Sequence, residues 1–164
     1  MNSKQYIDVR DRDISGLYED WEWLLGPNQL ESPVLMSLFG DLLYHGLDGK
    51  VYFLDIISAK KITFAESLSQ LQAKLNDPDI REQILLSSLV NDLANRNLVP
   101  GDSELYSFIV PPHLGGTIGV DNIEVTDKSV ALSISGQICE QTKDMAPGTK
   151  VSGFGVITLP PKRH

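Results

Sequence analysis

The chain has 164 residues, 41% of them hydrophobic and 22% charged, which are the values of a folded protein rather than a disordered one. Its formal charge is −8, from 14 basic and 22 acidic residues, so it lacks the basic footprint with which a nucleic-acid binder neutralises phosphates. No apolar run approaches the roughly 20 residues that cross a bilayer, and the N-terminus lacks the apolar core of a secretory signal.

Cys139 is the single cysteine, which excludes an internal disulfide and a multi-thiolate zinc site. Together these features predict one soluble domain over residues 1–164, working in a reducing cytoplasm without a membrane or nucleic-acid partner.

In chain order, Ile14, Leu17, Tyr18, Trp21, Leu24 and Leu25 recur at spacings of three and four. That pattern predicts an N-terminal helix within Asp8 to Leu25, begun near Asp13 or Ser15 and stopped by Gly26-Pro27. Trp21 and Trp23 stand two apart, so a helix cannot bury both equally; one belongs to the core and the other to a boundary or an interaction surface.

From Ser32 to Phe64 the short apolar runs predict three or four antiparallel strands. Gly40-Asp41 reads as a bend or as a bulge in a continuous ribbon, and turns fall at Asp48-Gly49 (a two-residue hairpin signal) and Ser58-Ala59-Lys60. Ala65, Leu68, Leu71 and Leu75 then mark a helix broken at Asp77-Pro78, and a second helix runs from Asp79 to about Asn97.

The last third predicts strands at Glu104–Val110, Ile123–Thr126, Val130–Ser135 and Thr149–Leu159. Turns are expected at Asp127-Lys128 and Pro147-Gly148, one or two helical turns within Gly136–Asp144, and a frayed tail over about 160–164. The fold class is α+β: a mostly antiparallel β-sheet, a pair of helices packed on one side, and an N-terminal helix at an edge.

One loop is written unusually. Pro111 and Pro112 fix two φ angles, Gly115 and Gly116 allow φ values closed to other residues, and Asp121 and Asn122 can bond backbone amides at its exit. Such a loop either positions a site or locks two layers together.

Catalytic chemistry has little foothold. His45 reads as a half-buried strand residue and His164 as terminal, which leaves His113, in the shaped loop, as the one histidine worth a hypothesis. No nucleophile elbow, phosphate loop or paired-histidine motif is present, and Cys139 reads as a small buried hydrophobe. Asp41, Asp55 and Asp121 read as turn caps and strand ends. No cofactor, metal or catalytic residue is assigned, and the expectation is a protein that is not an enzyme.

The order of motifs carries more. W-x-W-L-L at Trp21 to Leu25, F-G-D at Phe39 to Asp41 and G-K-V-Y-F-L-D at Gly49 to Asp55 come first. Y-x-F-x-x-P-P-x-L-G-G at Tyr106 to Gly116, Asp121-Asn122, G-Q-I-x-x-Q at Gly136 to Gln141 and P-G-T-K-V at Pro147 to Val151 follow. This series resembles the C-terminal-domain family of immunity proteins that neutralise type VI secretion DNase toxins, over roughly residues 20–155.

The resemblance implies a cytoplasmic protein that binds a cognate toxin non-covalently and blocks or distorts its active site. Family members often carry a further N-terminal domain, for which this chain has no room. The charge agrees, because nucleases are commonly basic and an acidic inhibitor imitates their polyanionic substrate. The candidate toxin-binding residues are Asp11, Asp13, Glu19, Asp20, Glu22 and Trp23. The alternative is a small-molecule binding module or enzyme centred on the loop Pro111 to Asn122, which requires a concave pocket with convergent polar groups.

Overall fold

Five antiparallel strands in the order β1-β2-β3-β4-β5 form the main sheet of the computed structural model, which describes residues 4–26 and 32–145. They are β1 (Tyr6–Asp8), β2 (Pro33–Ser37), β3 (Leu42–His45), β4 (Val51–Asp55) and β5 (Lys60–Ala65). Each pairs with its neighbour in sequence, so the sheet is a meander. The bend at Gly40-Asp41 and the expected reversal at Ser58-Ala59-Lys60 are present, with Gly40 and Ala59 at positive φ. The Asp48-Gly49 turn is also present, but its connection is longer than two residues: His45 pairs with Val51, and Gly46–Lys50 make the loop.

Both faces of this sheet are covered, which is why its strands read as near-continuous apolar runs. Leu35, Leu43, Phe53 and Phe64 face α2 (Leu68–Leu75) and α3 (Pro78–Leu85), meeting Leu71, Ile84 and Leu85. Met36, Leu42, Tyr44 and Leu54 point the other way, into a larger core with Tyr18, Trp21, Leu105, Tyr106 and Leu132. Alternation does the sorting: Leu42 and Leu43 are adjacent in the chain and belong to opposite cores.

Three corrections to the sequence expectations have physical causes. The helix predicted over Asp79–Asn97 is two helices, α3 and α4 (Ser87–Asn95), separated by Leu86 in the left-handed region at φ 52°. No glycine or proline announces that break. The Glu82 carboxylate accepts from both the N–H and the Oγ of Ser88, capping the new helix, while Val90 and Leu93 move to the larger core.

The predicted strand Val130–Ser135 is instead the first half of α5 (Lys128–Thr142), and the helical turns expected within Gly136–Asp144 are that same helix, which ends at Thr142. The supposed turn residue Asp127 is its N-cap, accepting from the amides of Ser129 and Val130. V-A-L-S-I-S fits a period of two, but Leu132, Gly136 and Cys139 are the buried positions, and their spacing is helical.

The N-terminal helix expected within Asp8–Leu25 is replaced by the end of β1, a loop, a 3-10 stretch Ser15–Trp21 kinked at Tyr18, and a single turn α1 (Glu22–Leu25). A second, two-stranded sheet pairs β6 (Glu104–Phe108) with β7 (Ile123–Asp127), joined to the first through the Tyr106 amide on the Leu38 carbonyl. The predicted strand Thr149–Leu159, the Pro147-Gly148 turn, the 160–164 tail with His164, and Pro27 lie outside the described residues.

Candidate functional site

Helix α5 is the element on which both candidate surfaces are built. On one flank it carries the acidic segment. Trp21, fully buried, donates its indole N–H to the Leu132 carbonyl at 3.0 Å, and Ser133 donates its hydroxyl to the Asp20 carboxylate at 2.6 Å. Between them Gly136 lets the two backbones touch: a Cβ there would lie 2.6 Å from the Asp20 carbonyl oxygen, closer than real Cβ atoms come.

The six acidic-face candidates therefore divide. Asp11, Asp13, Glu19 and Glu22 are exposed. Asp13 accepts from the Ser15 amide and hydroxyl and shapes the entry to the 3-10 stretch. Asp20 is half-buried and bound to Ser133, so it fastens the segment to α5. Trp23 is half-buried too, stacked on Trp21 at 5.9 Å between ring centroids, with the Lys143 ammonium 5.4 Å from its ring. The expected division of the two tryptophans between core and boundary is thus present.

On the other flank, α5 and the β6–β7 hairpin enclose an open groove of about 230 Å³, floored by Phe39, Ile56 and Ile57 at the ends of the main sheet's turns. Pro111, Pro112 and His113 stand at its mouth. The shaped loop is the connection of this hairpin, and one side chain holds it. Asn122 accepts from the Val110 amide at 2.9 Å and donates to the carbonyls of Val110 at 2.8 Å and Thr117 at 2.9 Å.

Gly115 takes φ 100°, and Gly116 lies against the Val110 carbonyl, where a Cβ would sit 1.8 Å from the oxygen. Asp121, exposed, pairs with Arg96 at 3.2 Å. Replacing Asn122 by alanine removes all three bonds; we expect a loss of about 1–2 kcal/mol, the partial exposure limiting the effect, read as a lower midpoint in a thermal melt. An unchanged midpoint would mean that the prolines alone hold the loop.

Burial shifts two titratable side chains that line the groove, Cys139 and His113. Burial pushes the Cys139 thiol up to about 11, the opposite of an activated thiolate. Burial also lowers the His113 imidazole, which favours its neutral form, and its Nε2 lies 3.2 Å from the Thr142 hydroxyl. His45 donates to the Gly49 carbonyl at 3.1 Å, in a turn. Among the described residues no cluster of three or more histidine, cysteine, aspartate or glutamate side chains forms a metal-sized site. No described helix is long and apolar enough to cross a membrane.

Asp41 is the most perturbed carboxyl. It is 2% exposed and accepts from the Ser37 hydroxyl and the Ile56 amide, each at 2.8 Å. Burial, and then the charge of Asp55, push it up to about 7 against the pull of those bonds. It ties the β2–β3 turn to the β4–β5 turn, as the turn-capping expectation had it, while Asp55 caps its own turn through the Ser58 amide.

No protein-family model and no curated protein matches the sequence. Among solved structures, the chain is similar to Atu4351 from Agrobacterium tumefaciens, at 20% identity and a TM-score of 0.52. The match covers 74% of this chain and 62% of that one, so the chain spans less than two-thirds of that protein's length. At this identity the likeness is one of fold: an α+β arrangement with a predominantly antiparallel sheet.

Proposed function

We propose that the protein is a cytoplasmic immunity protein. In this reading it binds a cognate secreted antibacterial toxin, a basic nuclease of a type VI secretion system, and occludes it non-covalently without performing catalysis itself. The observation that carries this reading is the exposed acidic set Asp11, Glu19 and Glu22 on a segment fastened to α5 by Trp21, Asp20 and Gly136. Carboxylates on a rigid backbone lose little freedom on docking, and in a chain of charge −8 they raise the rate of encounter with a cationic surface.

The test is co-purification with the product of the neighbouring gene, followed by the double substitution Asp11→Lys with Glu22→Lys. Neither side chain has a structural bond to lose among the described residues. We expect the association rate at low salt to fall about tenfold, with a shallower salt dependence. Unchanged affinity and salt dependence would rule out the acidic face as the docking site.

The alternative, a small-molecule module or enzyme centred on the loop Pro111 to Asn122, has the concavity in its favour. The hydroxyls on the groove wall do not favour it, because each is already hydrogen-bonded. Ser107 and Thr126 share a hydrogen bond at 2.7 Å, and Ser135 donates to the Leu132 carbonyl at 3.2 Å.

A further inference from the structure

We infer that the groove between α5 and the β6–β7 hairpin receives an apolar side chain from a basic segment of a protein partner, whose positive charge meets Glu124. The inference rests on the reading of the partner as a basic protein and locates where that partner's anchor inserts.

Shape and chemistry set the class of occupant. A space of about 230 Å³ is far above the ~10–15 Å³ that holds one water, so it admits large side chains. Phe108, Ile134 and Ile138 form its walls above a floor that includes Phe39. With the wall hydroxyls already paired, what the groove offers a ligand is apolar area rather than unmet hydrogen bonds.

Apolar surface continues outward along the hairpin loop. Ile109, which lines the groove, is 56% exposed, Val110 is 45% exposed, and Ile118 on the same loop is 53% exposed. Three large aliphatic side chains held outward on a loop clamped by Asn122 suit a macromolecular interface better than a small ligand.

Charge then narrows the partner. Glu124 is exposed on the groove wall, and no lysine or arginine lines the groove among the described residues. His113 at the mouth is shifted toward its neutral form. A cation beside the inserted side chain is therefore attracted both by Glu124 and by the −8 charge of the chain.

The test uses the full chain, isoleucine-methyl NMR and two synthetic peptides, acetyl-Gly-Lys-Leu-Phe-Lys-Gly-amide and its counterpart with both lysines replaced by glutamate. The lysine peptide is expected to shift the methyls of Ile109, Ile134 and Ile138 and to bind at least about tenfold tighter than the glutamate peptide. Glu124→Lys, an exposed change that leaves the fold alone, should cancel or reverse that preference. Ser135→Trp, checked for folding by far-UV circular dichroism, should fill the groove and abolish all three methyl shifts.

The inference is overturned if neither peptide moves these methyls or if both bind alike. It is equally overturned if the free chain shows contacts from residues 146–164 to Ile138, which would make the chain its own occupant. Peptide binding without toxin co-purification removes the toxin reading and leaves the groove. Toxin binding that survives Ser135→Trp at full strength does the reverse.

Discussion

Trp21→Ala is expected to lower the free energy of unfolding by about 3–5 kcal/mol, measured by urea denaturation followed in the far ultraviolet. The side chain is fully buried, stacks on Trp23 and gives its N–H to Leu132, so truncation opens a cavity and breaks the bond that ties the acidic segment to α5. Against a total stability of roughly 5–15 kcal/mol for an ordinary domain, that loss leaves a marginal fold. Trp21→Phe keeps most of the volume and loses the hydrogen bond, for a smaller cost of about 1–2 kcal/mol. A loss below about 1 kcal/mol for the alanine variant would show that the segment and α5 are held together by something other than this side chain.

Asp41 gives the second large effect, and its signature is in pH. Its carboxyl is raised from 3.8 to about 7 in the folded chain, so between those values the native state holds a proton that the unfolded state has released. Its contribution to stability is therefore fully present below about pH 4, declines as pH rises, and is gone above about pH 7. The difference between those two values corresponds to about 4 kcal/mol across that window.

Asp8, Asp48 and Asp127 are lowered by their hydrogen bonds and act in the opposite sense, losing stability as pH falls. The measurement is thus the difference between the wild-type profile and that of Asp41→Asn. The asparagine carbonyl can still accept from Ile56, but its amide faces a Ser37 oxygen that already accepts from the Phe39 and Asp41 amides, so the variant loses the Ser37 bond together with the titration. That loss does not depend on pH and leaves the shape of the difference to Asp41 alone. A flat difference from pH 4 to pH 7 would mean that the donors around Asp41 already hold it ionised at pH 4.

Strands β2 to β5 of the meander were legible because two of their three turns are written in glycine and aspartate and the strands in apolar runs, and Glu104–Phe108 and Ile123–Asp127 were legible from their apolar runs too, whereas the three-residue β1 was not. Helix α5 was not, since Val130 to Ser135 satisfies both periods and only the partner surface, Trp21 and Asp20, selects the helical one. The break at Leu86 has no composition signal at all: it is imposed by the two cores that its flanking helices serve.

At the candidate surfaces the carboxylates were visible as a charge run. The fastening role of Asp20 was hidden because Ser133 lies 113 residues away. The groove assembles side chains from Phe39 to Cys139, and only its mouth, Pro111 to His113, was marked by an unusual sequence.

The chain's two tryptophans stand stacked together against α5, and this decides what light can report. Intrinsic emission from this protein comes from one junction, with the indole of Trp21 fixed on a helix carbonyl and that of Trp23 under an ammonium group. An emission-detected melt follows the separation of the acidic segment from α5 and is blind to α2 and α3 on the far face of the sheet. Ellipticity weighs every helix alike. If the two probes give different midpoints, the two layers around the sheet come apart separately, and the layer that carries the acidic segment is the one the fluorescence times.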